Sequence, residues 1–151
     1  MNRKCGSGAF APRLLGLAIA VFVLPAVAQP PITVEAPWVR AAPPTASMNA
    51  GYLTLHNATD TPIRVVGAQS PQFARVEFHA STLHDGVAHM APVDGVTVPA
   101  NGSVAFAPGG LHLMLIAPTQ AFAEGDKVIL TLDFEDGWSV EFDATVRREA
   151  P

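Results

Sequence analysis

From Ile32 onward the sequence is a succession of short apolar or alternating runs, each cut off by Pro, Gly, Asn or Asp, and this punctuation limits the fold more than any other feature. No segment keeps apolar residues at helical period for long enough to sustain a helix. The runs predict strands at Ile32 to Val34, Gly51 to His56, Ile63 to Ala68, Arg75 to His79, Val87 to Met90, Ser103 to Phe106, Leu111 to Ile116, Lys127 to Phe134 and Trp138 to Val146. Between them lie turn signals at Asn57-Ala58-Thr59-Asp60, Asp85-Gly86, Pro99-Ala100-Asn101-Gly102, Pro108-Gly109-Gly110 and Asp136-Gly137. Strands this short and this closely spaced belong to an all-β sandwich or barrel.

The last two runs show the pattern most clearly. Leu130, Leu132 and Phe134 alternate with Thr131, Asp133 and Glu135, and Trp138, Val140, Phe142 and Ala144 alternate with Ser139, Glu141 and Asp143, so one face is core and the carboxylates are solvated. Ala36 to Ala46 holds three prolines and no strand pattern, and is expected to run along the surface as a loop. No internal repeat and no second domain is visible.

Residues 1 to 28 are expected to be a secretory signal. Arg3, Lys4 and Arg13 make a basic start, Leu14 to Leu24 an apolar stretch too short to span a bilayer comfortably, and Ala26-Val27-Ala28 a cleavage site. The lone cysteine, Cys5, precedes the apolar stretch, whereas a lipoprotein would need it just after. The expected product is an exported, soluble, cysteine-free domain of residues 29 to 151, in the periplasm or outside the cell. Cleavage would remove three of the nine basic residues and none of the thirteen acidic ones, taking the formal charge from −4 to −7. That balance disfavours nucleic-acid binding, which rests on basic patches. Without cysteine there are no disulfide staples, no blue-copper thiolate and no usual structural zinc site.

Four residues then stand out: His79, Met90, His112 and Met114, in the spacing H-x10-M-x21-H-x-M. Thioether sulfur is a soft, uncharged ligand that selects Cu(I), and two Met with two His make a four-coordinate S2N2 set for that ion. A two-residue turn at Asp85-Gly86 would pair His84 with Val87 and Ser81 with Met90, leaving His79 as a diagonal neighbour of Met90 on the same face. His112 and Met114, two apart, share a face while Leu111, Leu113 and Leu115 face the core. The same parity puts His84 and His89 on the face away from His79 and Met90, outside the primary ligand set. Trp38 and the proline-rich segment stand open as either flanks of this site or ordinary packing. Asn57-Ala58-Thr59 and Asn101-Gly102-Ser103 match glycosylation acceptors but are assigned to turns.

With Asp85-Gly86 in the first interval and Pro108-Gly109-Gly110 just before His112-Leu113-Met114, this constellation resembles the periplasmic copper chaperones called PCu(A)C. Ala36-Pro37-Trp38-Val39-Arg40, Gly51-Tyr52-Leu53-Thr54-Leu55-His56-Asn57 and Val76-Glu77-Phe78-His79 extend the resemblance over nearly the whole exported chain. It implies a cupredoxin-like Greek-key β-sandwich that binds one Cu(I) through His79, Met90, His112 and Met114. It also implies delivery to the CuA centre of cytochrome c oxidase, alongside a Sco-type thiol protein. Some members carry a His- and Met-rich C-terminal tail that adds Cu(II) binding; Arg147 to Pro151 contain neither residue, which leaves His84 and His89 as the remaining source of such a site.

Three other functions compete. A sequestration or copper-resistance protein of the same compartment would use the same ligands. A zinc hydrolase would want three His or carboxylate ligands, and H-x-M offers one hard ligand per strand; a triad of Ser81, Asp85 and a histidine lacks a nucleophile-elbow frame. A β-sandwich that binds protein by its sheet edges would leave the His/Met set dispensable.

Overall fold

The computed structural model describes Asn2 and residues 30–151. The expected signal therefore lies outside the described residues, Asn2 excepted. Every regular element described is a strand: β1 (Ile32–Arg40), β2 (Met48–Asn57), β3 (Ile63–Gln69), β4 (Phe73–His84), β5 (Val87–Pro92), β6 (Val96–Val98), β7 (Ser103–Phe106), β8 (Leu111–Pro118), β9 (Lys127–Phe134) and β10 (Ser139–Arg147).

The strands pair in the order β5-β4-β8-β2-β1-β10-β9-β3-β6, and a further contact of β3 with β4 at Ala68↔Val76 closes the path into a barrel. All pairings are antiparallel except that of β1 with β10, where Trp38, Val39 and Arg40 run beside Thr145, Val146 and Arg147. Closure removes the free edges of the main circuit. β5 hangs outside it on β4, β6 on β3, and β7 continues the line of β8 along β2.

Alternation builds the interior. Leu113 and Leu115 of β8, Val128, Leu130 and Leu132 of β9, Ala144 and Val146 of β10, with Val39 and Leu55, are fully buried and lie in one apolar cluster. Burying side chains of this size stabilises the fold by about 1.5–3 kcal/mol each. The carboxylates of the β9–β10 hairpin face water or hydrogen-bond at the surface, where Asp133 accepts from Gln69 and Ser139.

Three expectations are corrected. The segment Ala36 to Ala46 is not a loop throughout, because β1 runs on to Arg40. Ala36 adopts a φ of 47° and the register with β2 shifts between Glu35 and Trp38. The resulting bulge takes up Pro37, which has no N–H to give to a ladder, and lets pairing resume at Trp38↔Tyr52. Trp38 is accordingly in the barrel wall, on the face opposite Val39 and buried against Tyr52 with ring centroids 4.6 Å apart. Trp138 precedes its strand: it stacks on Phe134 at 3.8 Å and its carbonyl accepts from the Phe134 N–H, closing the turn. β6, three residues long, has no counterpart among the expected strands.

Asn57 belongs to the frame. Its buried amide donates to the carbonyls of Thr61, Val98 and Pro99, tying β2 to the ends of two loops.

Candidate metal centre

The outer face of β8 is positioned by the inner one. Phe78↔Leu113 and Val76↔Leu115 are core-facing pairs of β4 and β8, so the pairs that alternate with them, Glu77↔Met114 and His79↔His112, face outward together. On the other side of β4 the Asp85-Gly86 turn, with φ of 50° and 78°, is the type I′ geometry that suits a two-residue hairpin. It sets Ser81 opposite Met90 and His79 opposite Pro92, as the spacing leads one to expect. Three neighbouring strands thus place His79, Met90, His112 and Met114 on one face. His89, exposed and paired with Thr82, lies at the alternate positions of the hairpin.

The two imidazoles are held in complementary tautomers. His112 is 6% exposed, and its Nδ1 lies 3.0 Å from the Gly110 carbonyl. A carbonyl only accepts, so Nδ1 carries a proton and Nε2 is the nitrogen left to bind a metal. In His79 the Nε2–H donates to Glu77 Oε2 at 3.1 Å, while Arg75 Nε–H holds the other carboxylate oxygen at 3.2 Å. Its side chain is 11% exposed, and Nδ1 is buried without a hydrogen-bond partner. Leaving such an atom unsatisfied costs about 1–3 kcal/mol. A soft metal ion would satisfy it, and the His112 ring is 5.9 Å away between centroids, with the two planes 42° apart.

Beside His112 lies a groove of 340 Å³ lined by Met90, His112 and Met114, by Met48, Asn49 and Ala50 of β2, and by Arg40 to Pro43. The proline-rich segment therefore flanks the groove, and Trp38 lies under Arg40 as packing for that flank. Arg40 rests its guanidinium 6.0 Å over the Trp38 ring and 5.8 Å over that of Tyr52, and Asn49 donates to the Arg40 carbonyl at 3.1 Å. Met90 is 60% exposed and Met48 46%. Met48 escaped the sequence reading because β2 was expected to begin at Gly51. Alternation carried back from Ala50 would have put it on this face.

The model of the family described as "Putative lipoprotein LpqE-like", the family of PCuAC domains, matches residues 32–146. The chain belongs to this family. Among relatives of this PCuAC chain, the "Putative lipoprotein Lxx21020" of Leifsonia xyli subsp. xyli is 33% identical over 131 residues, covering 82% of this chain and 78% of its own. Two solved structures carry the fold comparison. The copper-bound PCuAC domain from PmoF2 is 31% identical with a TM-score of 0.67, over 82% of this chain and 97% of that domain. The solution structure of CuI-DR1885 from Deinococcus radiodurans is 34% identical with a TM-score of 0.65, over 82% and 83%.

The chemistry of the PCuAC groove is soft. Among the described residues no three His, Cys, Asp or Glu side chains converge as a hard-metal cluster. What converges is two imidazoles and a set of thioethers, the donors that Cu(I) prefers.

Proposed function

We propose that this chain is a periplasmic Cu(I) carrier, holding one ion through His79, Met90, His112 and Met114 and passing it to the CuA centre of cytochrome c oxidase, with a Sco-type thiol protein as its partner. The observation that carries the reading is the buried, unpartnered Nδ1 of His79 beside His112, whose Nδ1 is tied to Gly110 and whose ring lines a groove shared with three methionines. The Cu(I) form of the Deinococcus relative supports the choice of ion, and the lipoprotein relative supports a place outside the cytoplasm.

Neutral ligands leave the bound ion with its single positive charge, so it is held less tightly than thiolates would hold it. Met90, exposed on the outer strand, is the ligand an incoming Cys or Met can displace first, with the ion passing through a shared intermediate. A filled S2N2 set has no open position for a substrate, which favours carriage over catalysis.

Anaerobic Cu(I) titration against a coloured chelator, followed by mixing the loaded chain with apo CuA domain, tests both halves. One ion bound and then lost to the CuA domain is the expected result. Binding without transfer, together with copper sensitivity but intact oxidase in a deletion strain, would replace delivery by sequestration. No competition with the chelator would remove the carrier reading.

A further inference from the structure

The chain has four methionines, and all three beyond Met1 line one groove. Only two are used by the S2N2 set. The third, Met48, is a large apolar side chain left 46% exposed at the start of β2, where barrel interior was available on the other face. Register shows what it stands beside. Met48 pairs with Ile116 and Ala50 with Met114, so Met48 is the diagonal neighbour of Met114 on the groove face. Backbones so related are about 7–8 Å apart, within reach of two long side chains. Ala50, a single methyl, leaves the space beside Met114 open for Met48 to lie across.

Met90 approaches the same group from the opposite direction. It sits on β5 opposite Ser81, beyond the His79↔His112 row, whereas Met48 sits on β2 beyond the Met114 row. His79, His112 and Met114 are buried or half-buried and fixed on the paired strands β4 and β8. Met48 and Met90 are the two exposed, flexible thioethers on either side of them.

We infer that Met48 is an alternate fourth ligand, which takes the place of Met90 while His79, His112 and Met114 keep the ion. The inference rests on the Cu(I) carrier reading and gives it a transfer step. The Met90 Sδ–Cu bond breaks as the Met48 Sδ–Cu bond forms, copper stays Cu(I), and no proton moves. Met90 is then free to leave with the outer hairpin and open that side of the ion to a partner's sulfur, without the ion falling to three ligands.

The test uses protein expressed with its own leader and purified from the periplasm, with ¹³C-methyl-labelled methionine and Cu(I) alone as the probe. Wild type, Met48→Leu, Met90→Leu and the double variant are compared by methyl NMR and by chelator competition; the Leu changes conserve volume, and apo spectra report that each variant is folded. The expected result is that Met90→Leu still binds one ion and that its Met48 methyl resonance shifts when Cu(I) is added. Met48→Leu should then matter little alone, yet weaken binding by about tenfold or more in the Met90→Leu background. A Met48 methyl that does not move in Met90→Leu, or an equal effect of Met48→Leu in both backgrounds, overturns the inference and leaves the carrier intact. Failure of wild type to bind removes the carrier reading and this inference with it.

Discussion

At the scale of single residues, parity made most of the site legible. The leucines of Leu111-His112-Leu113-Met114-Leu115 declare the inner face, and the His and Met between them follow. What parity cannot tell is which ring nitrogen is free, because that depends on partners supplied by Glu77 and by the Gly110 carbonyl. Glu77 is two residues from His79, on the same face, and with Arg75 it makes a three-member chain that fixes the ring. Glu77→Ala removes that support while leaving all four proposed ligands in place. Cu(I) affinity should fall about 10–100-fold with stoichiometry kept at one ion, as for outer partners of metal-bound histidine. Chelator competition reads the affinity, and ¹⁵N NMR of the imidazoles should show the apo His79 proton no longer confined to Nε2. Unchanged affinity would make the Glu77 contact a surface ion pair and nothing more. Met114→Leu, by contrast, removes a proposed ligand itself, the one held on the same strand as His112, and Cu(I) affinity should fall even with Met48 alongside.

At the scale of elements, strands with strong alternation were legible and irregular ones were not. β1 was shortened because prolines argue against a strand, and only the bulge at Ala36 and Pro37 shows how pairing survives them. β6 is held by its pairing with Ile63 to Val65, a long-range contact that three residues cannot announce. The β4–β5 hairpin is the opposite case, since Asp85-Gly86 sets its register locally. Gly86 has a φ of 78° and open space around its missing Cβ, so Gly86→Ala meets no clash but takes on a left-handed conformation costing roughly 1–2 kcal/mol. That cost falls on an outer strand. Amide exchange of β5 should quicken and Cu(I) binding weaken through Met90, while the thermal midpoint of the barrel stays nearly unchanged. A large fall in the midpoint would mean that β5 is integral to the barrel rather than appended to it.

For the whole molecule, the strand pattern alone fits a sandwich or a barrel, because closure rests on the single pair Ala68↔Val76 between strands with few other contacts, and the resemblance implies a sandwich. Closure matters to function because site and core then share one wall. Leu113, fully buried, stands between His112 and Met114 on the same strand, so any relaxation of the core at that point moves two proposed ligands. Leu130 is as deeply buried, but β9 lends no side chain to the groove. Leu113→Ala and Leu130→Ala should each lower the stability of the apo chain by about 2–5 kcal/mol. They should differ in copper: Leu130→Ala keeps the wild-type affinity, and Leu113→Ala loses part of it. Since an ion bound only by the folded chain stabilises it by about 4 kcal/mol at a free concentration a thousand times Kd, the two variants should also differ in rescue. At equal free Cu(I), the ion should raise the denaturation midpoint of Leu130→Ala by the wild-type increment and that of Leu113→Ala by less. Equal increments would show that the β4–β8 wall holds the ligands without help from the packing behind it, and that core and site are independent in this fold.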